Sequence, residues 1–126
     1  MEKGERTIRE ILFRGKDKEN GKWITGFLVS SKHIGDWVTA WPVDPKTVGQ
    51  FTGLTDRNGK KIFEHDIVQA HFRNNHSKQT FRVIFDDGMF LFDNNHVKVP
   101  KYDIYSMKVI GNIYDNPELL GGADNG

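Results

Sequence analysis

The residues of this chain whose types and spacing best suit acid–base catalysis are Glu64, His65 and Asp66. The two carboxylates flank the histidine, and in an extended segment side chains two residues apart point to the same side. Paired carboxylates beside an imidazole are groups that general acid–base catalysis uses. The same three residues also suit an acidic corner that solvates a tight turn before a buried strand. We favour the corner, and no catalytic residue is predicted.

The histidines suggest a second kind of site, a metal centre. His71 and His76 could bind zinc together with Asp86 or Asp87. The two histidines are five positions apart, one at a strand end and one in a loop, and this is no recognised ligand spacing. We therefore favour histidines in surface loops. The chain has no cysteine, and it lacks a glycine-rich phosphate loop and a dinucleotide fingerprint. Neither a metal nor a cofactor is predicted.

Basic residues near two predicted loops suggest nucleic-acid binding. These residues are Arg57, Lys60, Lys61, Arg73 and Lys78. Aromatic residues make up 12% of the chain, and an exposed aromatic patch beside cations could stack on bases or hold a peptide. Acidic residues are interspersed, however, and the net charge is only +1. We therefore favour lysines that solvate hairpin tips and tryptophans that pack in the core.

Length and composition indicate one globular domain. The chain has 126 residues, of which 37% are hydrophobic and 28% charged, and this balance is typical of a soluble domain. We assign it to residues 1–120 and expect a disordered tail at 121–126. No apolar run approaches the roughly 18 residues of a membrane span. The charged N-terminus does not resemble a signal peptide, so a cytoplasmic location is expected.

Residues 50–72 are predicted to form a hairpin, a tight corner and a buried strand, and we call them the central stretch. Asp56 can open a type I turn that Gly59 closes with a positive φ. Apolar Phe51, Leu54 and Ile62 follow a strand pattern rather than a helical one. A second hairpin is predicted around Asp87-Gly88, a two-residue type I′ turn.

In that second hairpin, Phe85 should face Phe90 and Val83 should face Phe92, all on one buried face. Further strands are predicted at 7–14, 23–29, 37–41, 97–99 and 107–114. A single helical turn should follow Asn116, with Pro117 at its first position. The predicted fold is mainly β: a small bent barrel or two packed sheets of short antiparallel strands, with little helix.

Many short strands leave edges that must be covered, charged or paired. Pro42 and Pro100 can protect two edges, whereas the strand at 23–29 carries large apolar side chains and has neither proline nor charge. A later strand or a second subunit must cover it. We predict a homo-oligomer whose contact includes Trp23 and Phe27, or the segment with Trp37 and Trp41.

Three segments resemble the YopX family of phage and prophage proteins. They read REILFRG followed by GKWITG, then GQFTGLTDRNGKKIFEHDIV, and finally VIGNIYDNPELL. In this order they cover residues 9–120, and the central segment is the most specific. The resemblance implies a phage or prophage setting in a host cell. The family has no established activity, so the resemblance implies no catalytic residue.

Three functions are therefore predicted, in decreasing order of preference. The first is a non-enzymatic phage accessory or interaction protein that self-associates, with a second copy or a phage or host protein as partner. The second is a small nucleic-acid-binding β protein that uses the basic loop at 57–61. The third is an enzyme with its site at the acidic corner. No membrane partner is predicted.

Overall fold

The computed structural model describes residues 10–36, 39–74 and 77–121. Within them the chain forms two antiparallel sheets, so the predicted mainly β fold with little helix is confirmed. The strands of the first sheet are β1 (Phe13–Lys16), β2 (Trp23–Ser30), β3 (His33–Gly35), β4 (Ala40–Pro42), β5 (Gly49–Thr55) and β6 (Lys61–Phe63). Those of the second are β7 (Asp66–Phe72), β8 (Lys78–Asp86), β9 (Met89–Asp93), β10 (Lys98–Val99) and β11 (Ile104–Asn112).

The first sheet has the strand order β4-β3-β2-β1-β5-β6. A bridge between Asp17 and Val43 ties the ends of β1 and β4, so this sheet curls around the fully buried Ile34 and Val43 without closing into a barrel. A Cβ atom on Gly26 would lie 2.5 Å from the Gly35 carbonyl oxygen. That close backbone approach explains the glycine within β2.

Of the two ways in which the strand at 23–29 could be covered, pairing with a later strand of the same chain is the one observed. β2 pairs with β1 on one side and with β3 on the other, so its backbone groups are paired within the chain. The strands at the sheet edges include β4, which ends at Pro42, and β10, which Pro100 follows. The first strand begins at Phe13 rather than at residue 7, and residues 7–9 lie outside the described residues.

The β5–β6 hairpin joins the two sheets. The Gly59 N–H donates to the Asp56 carbonyl oxygen at 2.9 Å, and φ of Gly59 is 81°, which confirms the predicted turn. The Asp56 carboxylate accepts the N–H of Val109 in β11 at 2.9 Å. The Arg57 N–H donates to the Met107 carbonyl at 2.9 Å. The turn thus protects the outer edge of β11.

The β8–β9 hairpin has the predicted register, with Phe85 opposite Phe90 and Val83 opposite Phe92. Asp87 has φ 53° and Gly88 has φ 80°, as a type I′ turn requires. Val83 and Phe92 are fully buried, but Phe85 is 53% exposed. The predicted burial of Phe85 is wrong because the pairing of β7 with β8 ends at Arg82, and the hairpin tip extends beyond it.

The main core lies on one face of the second sheet and includes one residue of the first. Its buried members are Ile62, Val68, Ala70, Phe81, Val83, Phe92, Ile104 and Met107. After β11 the chain forms one short helix, α1 (Glu118–Gly121), and Leu119 N–H donates to the Asn116 carbonyl at 3.0 Å. This is the predicted helical turn. The predicted tail at 121–126 is wrong for Gly121, which ends α1, and residues 122–126 lie outside the described residues.

The remaining short elements are 3₁₀ turns at Pro45–Thr47 and Lys101–Asp103. The final strand, β11, begins three residues before its predicted start and ends two before its predicted end. No helix within the described residues is long and apolar enough to cross a membrane.

Candidate functional site

The two sheets meet at a cluster that we call the junction, formed by Arg14, Trp23, Phe63, Asp66 and Asp115. Arg14 Nη2 donates to Asp66 Oδ1 at 2.5 Å, and Asp66 Oδ2 accepts the Phe63 N–H at 2.8 Å. The side chains of Arg14 and Asp66 are 12% and 2% exposed. The guanidinium carbon of Arg14 lies 4.5 Å from the Trp23 ring centroid and 4.7 Å from that of Phe63. The ion pair is therefore enclosed by aromatic rings.

Both oxygens of the Asp66 carboxylate are used in this arrangement. Burial raises the pKa of Asp66, while the charge of Arg14 and the Phe63 N–H act against that rise. A carboxylate whose two oxygens are occupied and screened from water is a poor general base. The role of this ion pair is therefore structural: it holds β1 against β7.

The acidic corner is fixed on both sides by backbone hydrogen bonds. The His65 N–H donates to the Val83 carbonyl at 2.9 Å, and the His65 carbonyl accepts the Ile113 N–H at 3.0 Å. His65 adopts a φ of 81°. Its Nε2 lies 3.2 Å from the Val48 carbonyl oxygen and 3.9 Å from Glu64 Oε2.

The carboxylates of the catalytic alternative bind different partners. Asp66 accepts from Arg14, whereas Glu64 Oε1 lies 3.4 Å from the Gln50 N–H that donates to it. In a fully extended segment the side chains of Glu64 and Asp66 would point to the same side. This arrangement is lost because the chain turns at His65. The geometry supports a structural corner.

The segment after β11 is attached to the junction through Asp115. Its carboxylate accepts hydrogen bonds from Lys16 Nζ, from Trp23 Nε1 at 2.9 Å and from Asn112 Nδ2 at 3.1 Å. These donors, with Lys16 the strongest, lower the pKa of Asp115 to about 2. Arg14, Trp23, Asp66 and Asp115 come from the three segments that carry the family resemblance. Those segments therefore converge on one place in the fold.

Three of the four predicted interface residues line one groove on the first sheet. Trp23, Phe27 and Trp41 surround a volume of about 540 Å³, which we call the aromatic groove. Phe27 is 44% exposed and Trp41 is 38% exposed, so the expectation that the tryptophans pack in the core is wrong for Trp41. Trp37 lies outside the described residues.

The predicted basic residues do not all lie in one place. Arg57 and Arg73 line one cleft of about 220 Å³ together with Lys101 and Tyr105, two residues that the sequence analysis missed. Lys78 is exposed at the start of β8. Lys61 lies 3.5 Å from Glu10 in an ion pair. The charge of Lys60 acts on the carboxylate of Asp56.

The alternative zinc site at His71 and His76 is not tested, because His76 lies outside the described residues. Within residues 10–36, 39–74 and 77–121, no three histidine, cysteine or acidic side chains are placed to share a metal ion.

The described residues define a mainly β protein in which two antiparallel sheets are joined by a buried arginine–aspartate pair. One sheet carries an aromatic groove and the other borders a basic cleft. The family model described as "YopX protein" matches residues 12–121. The chain belongs to the YopX family, as its three sequence segments predicted.

The chain is also similar to individual proteins. The "SPbeta prophage-derived uncharacterized protein YopX" of Bacillus subtilis (strain 168) is 33% identical over 73 residues. That alignment spans 52% of this chain and 54% of the relative. The crystal structure of protein EF1440 from Enterococcus faecalis has a TM-score of 0.58 at 26% identity, covering 90% of this chain and 99% of that one. The crystal structure of yopX from Bacillus subtilis has a TM-score of 0.44 at 25% identity, with coverages of 86% and 95%.

Proposed function

We propose that this chain is a phage or prophage accessory protein that acts by self-association, with strands β2–β4 as its contact surface. A prophage setting is supported by the related prophage-derived protein of Bacillus subtilis. Self-association is supported by one observation: neighbouring strands of the β2–β4 meander expose large apolar side chains.

The exposed residues follow from the strand register. Phe27 and Val29 lie close together on β2, and they are 44% and 54% exposed. Leu28 aligns through Ile34 with Trp41, and Leu28 and Trp41 are 42% and 38% exposed. Single exposed apolar residues are common, but clustered ones on neighbouring strands are typical of contact surfaces.

The aromatic groove has the composition of a protein interface. Its lining combines the large side chains of Trp23, Phe27 and Trp41 with polar residues such as Asp17 and Lys22. An apolar centre with aromatic residues inside a polar rim is the usual anatomy of an interface. A second copy can supply the matching apolar surface, since a two-fold contact places the same patch on both subunits. Side chains rather than an open strand edge would form this contact, because β2 is paired on both sides.

Light scattering coupled to size exclusion tests the proposal. The wild-type chain should elute with a mass that is a multiple of 14.5 kDa at micromolar concentration. Val29→Glu and Trp41→Glu should each shift it toward the single-chain mass, because an unpaired charge buried in a contact is costly.

Met89→Glu is the matched control. Met89 is 48% exposed, at the tip of the β8–β9 hairpin, so its substitution adds the same charge far from the contact. A wild-type mass of one chain throughout, or an equal effect of all three variants, would contradict self-association through this surface.

A further inference from the structure

The cleft beside the outer edge of β11 gathers cations from three separate parts of the chain. Arg57 belongs to the β5–β6 turn, Arg73 to the turn after β7, and Lys101 to the 3₁₀ turn before β11. Arg73 is held in place because its Nε donates to the Tyr102 carbonyl at 2.8 Å. The cleft is smaller than the roughly 300–1,000 Å³ of small-molecule pockets. It suits one unit of a polymer rather than a whole ligand.

The outer face of the second sheet extends this cluster. Ser106, which lines the cleft, pairs with His71, and His71 pairs with Lys78. Directly opposite residues share a face, and neighbouring strands lie about 4.8 Å apart. Lys108, two residues beyond Ser106 on β11, points to that same face and is exposed. Tyr105 lies at the bulge before Ser106.

We call the resulting surface the basic strip. Its cations are Arg57, Arg73, Lys78, Lys101 and Lys108. Among the described residues, none of these five cations has a carboxylate within ion-pair distance.

Among the described residues, the acidic groups near the strip do not form ion pairs with its cations. The Asp56 carboxylate lines the cleft but accepts three backbone N–H groups, those of Asn58, Lys60 and Val109. Farther along the same sheet face, Asp86 and Asp93 are paired with Lys98 and Arg82. Asp103 contacts the strip through its carbonyl oxygen, which accepts the Arg73 N–H.

Two tyrosines are placed among these cations. Tyr102 is 70% exposed and Tyr105 is 66% exposed. Exposed aromatic rings beside a line of cations supply stacking for unpaired bases and attraction for phosphates. A duplex would offer the phosphates without accessible base faces. We propose that the basic strip binds single-stranded nucleic acid.

This proposal is independent of self-association, since the strip shares no residue with the aromatic groove. It also differs from the basic set predicted from the sequence. Lys61 is paired with Glu10, while Lys101 and Lys108 join Arg57, Arg73 and Lys78.

Fluorescence anisotropy of a labelled, mixed-sequence DNA single strand of about 20 nucleotides tests the strip. Five phosphate contacts predict a slope of log K against log salt of about −3.5, or a roughly hundredfold loss from about 50 to about 200 mM salt. The double variant Arg57→Gln with Lys101→Gln should make this slope shallower by about 1.4. Lys18→Gln with Lys32→Gln is the matched control: both residues are exposed in turns between strands of the first sheet, and the slope should stay unchanged.

Tyr102→Leu separates stacking from charge. It should weaken binding about fivefold or more while leaving the salt slope unchanged. Thermal unfolding of each variant should match that of the wild type, since these side chains are on the surface.

Several results would overturn the proposal: no binding at about 50 mM salt, or equal losses in the strip and control variants. A single-strand site would also be rejected if a blunt duplex bound as tightly as the single strand and Tyr102→Leu left the affinity unchanged. So would binding to vesicles containing phosphatidylserine without binding to the oligonucleotide.

Discussion

Asp66→Asn should destabilise the protein by about 3–5 kcal/mol, because it leaves Arg14 charged and largely buried without its partner. The Asp66 side chain is 2% exposed and that of Arg14 is 12% exposed, so water does little to solvate the remaining charge. Domains of this kind have about 5–15 kcal/mol of total stability. The loss should therefore be obvious in urea unfolding followed by tryptophan fluorescence.

The double variant Arg14→Met with Asp66→Asn should be more stable than Asp66→Asn alone. It removes the unpaired charge and keeps an apolar side chain between Trp23 and Phe63, whose rings lie 4.5 and 4.7 Å from the guanidinium carbon. The lost cation–π contacts, about 0.5–2 kcal/mol each, limit the recovery. The double-mutant cycle should give a coupling energy of about 2 kcal/mol or more.

Asp86→Asn is the control for the same chemical change at the surface. Asp86 pairs with Lys98 at 3.0 Å, and both side chains are about half exposed. Exposed pairs contribute little, so the unfolding midpoint should not move measurably. Equal effects of Asp66→Asn and Asp86→Asn, or simple additivity in the double variant, would refute a buried, coupled pair at the junction.

Two further predictions concern the core and the loss of stability at low pH. Phe92→Ala should lower the free energy of unfolding by about 3–5 kcal/mol because Phe92 is fully buried. Phe90→Ala, at a half-buried position, should lower it less. Equal losses in urea unfolding would contradict the burial pattern. Asp115 has a folded pKa of about 2 against 3.8 for the free side chain, so its ionised form stabilises the fold above pH 3.8 and loses this effect as the pH falls toward 2. Thermal melts of Asp115→Asn should therefore decline less than wild type across this range, and parallel declines would show that Asp115 does not contribute.

The turns were predictable from sequence because the interactions that form them are local. Asp56 and Gly59 are three residues apart, and a positive φ at Gly59 is a property of that one residue. The same is true of Asp87 and Gly88, whose two positive φ angles set the register of β8 and β9. Period-2 alternation then identified the residues that share a face.

The pairing and covering of strands were not predictable because they depend on distant segments. Arg14 and Asp66 are 52 residues apart, and no local pattern identifies them as partners. Alternation placed Phe85 on the face of Val83, but its exposure depends on where β7 ends. The strand at 23–29 looked unprotected since nothing in its own sequence indicates that β3 pairs with it.

Residues of the basic strip were missed for the same reason. Lys101 and Lys108 are isolated in the sequence, and only the pairing of β11 with β7 places Lys108 on the face of His71 and Lys78. Lys61 belonged to the densest basic run, yet it is paired with Glu10. A run of charge in the sequence therefore matches the proposed binding surface less well than the sheet register does.

The junction explains why membership of the family identifies the fold without identifying an activity. The three segments of the resemblance meet at Arg14, Trp23, Asp66 and Asp115, which hold the sheets together. Both proposed binding surfaces depend on elements fixed there or nearby: Trp23 also lines the aromatic groove, and the Asp56 turn carries Arg57 into the basic strip. Substitutions at the junction should therefore disturb both surfaces through stability alone. Only exposed residues outside it, such as Val29 on one sheet and Lys101 beside the other, can separate the two proposed functions.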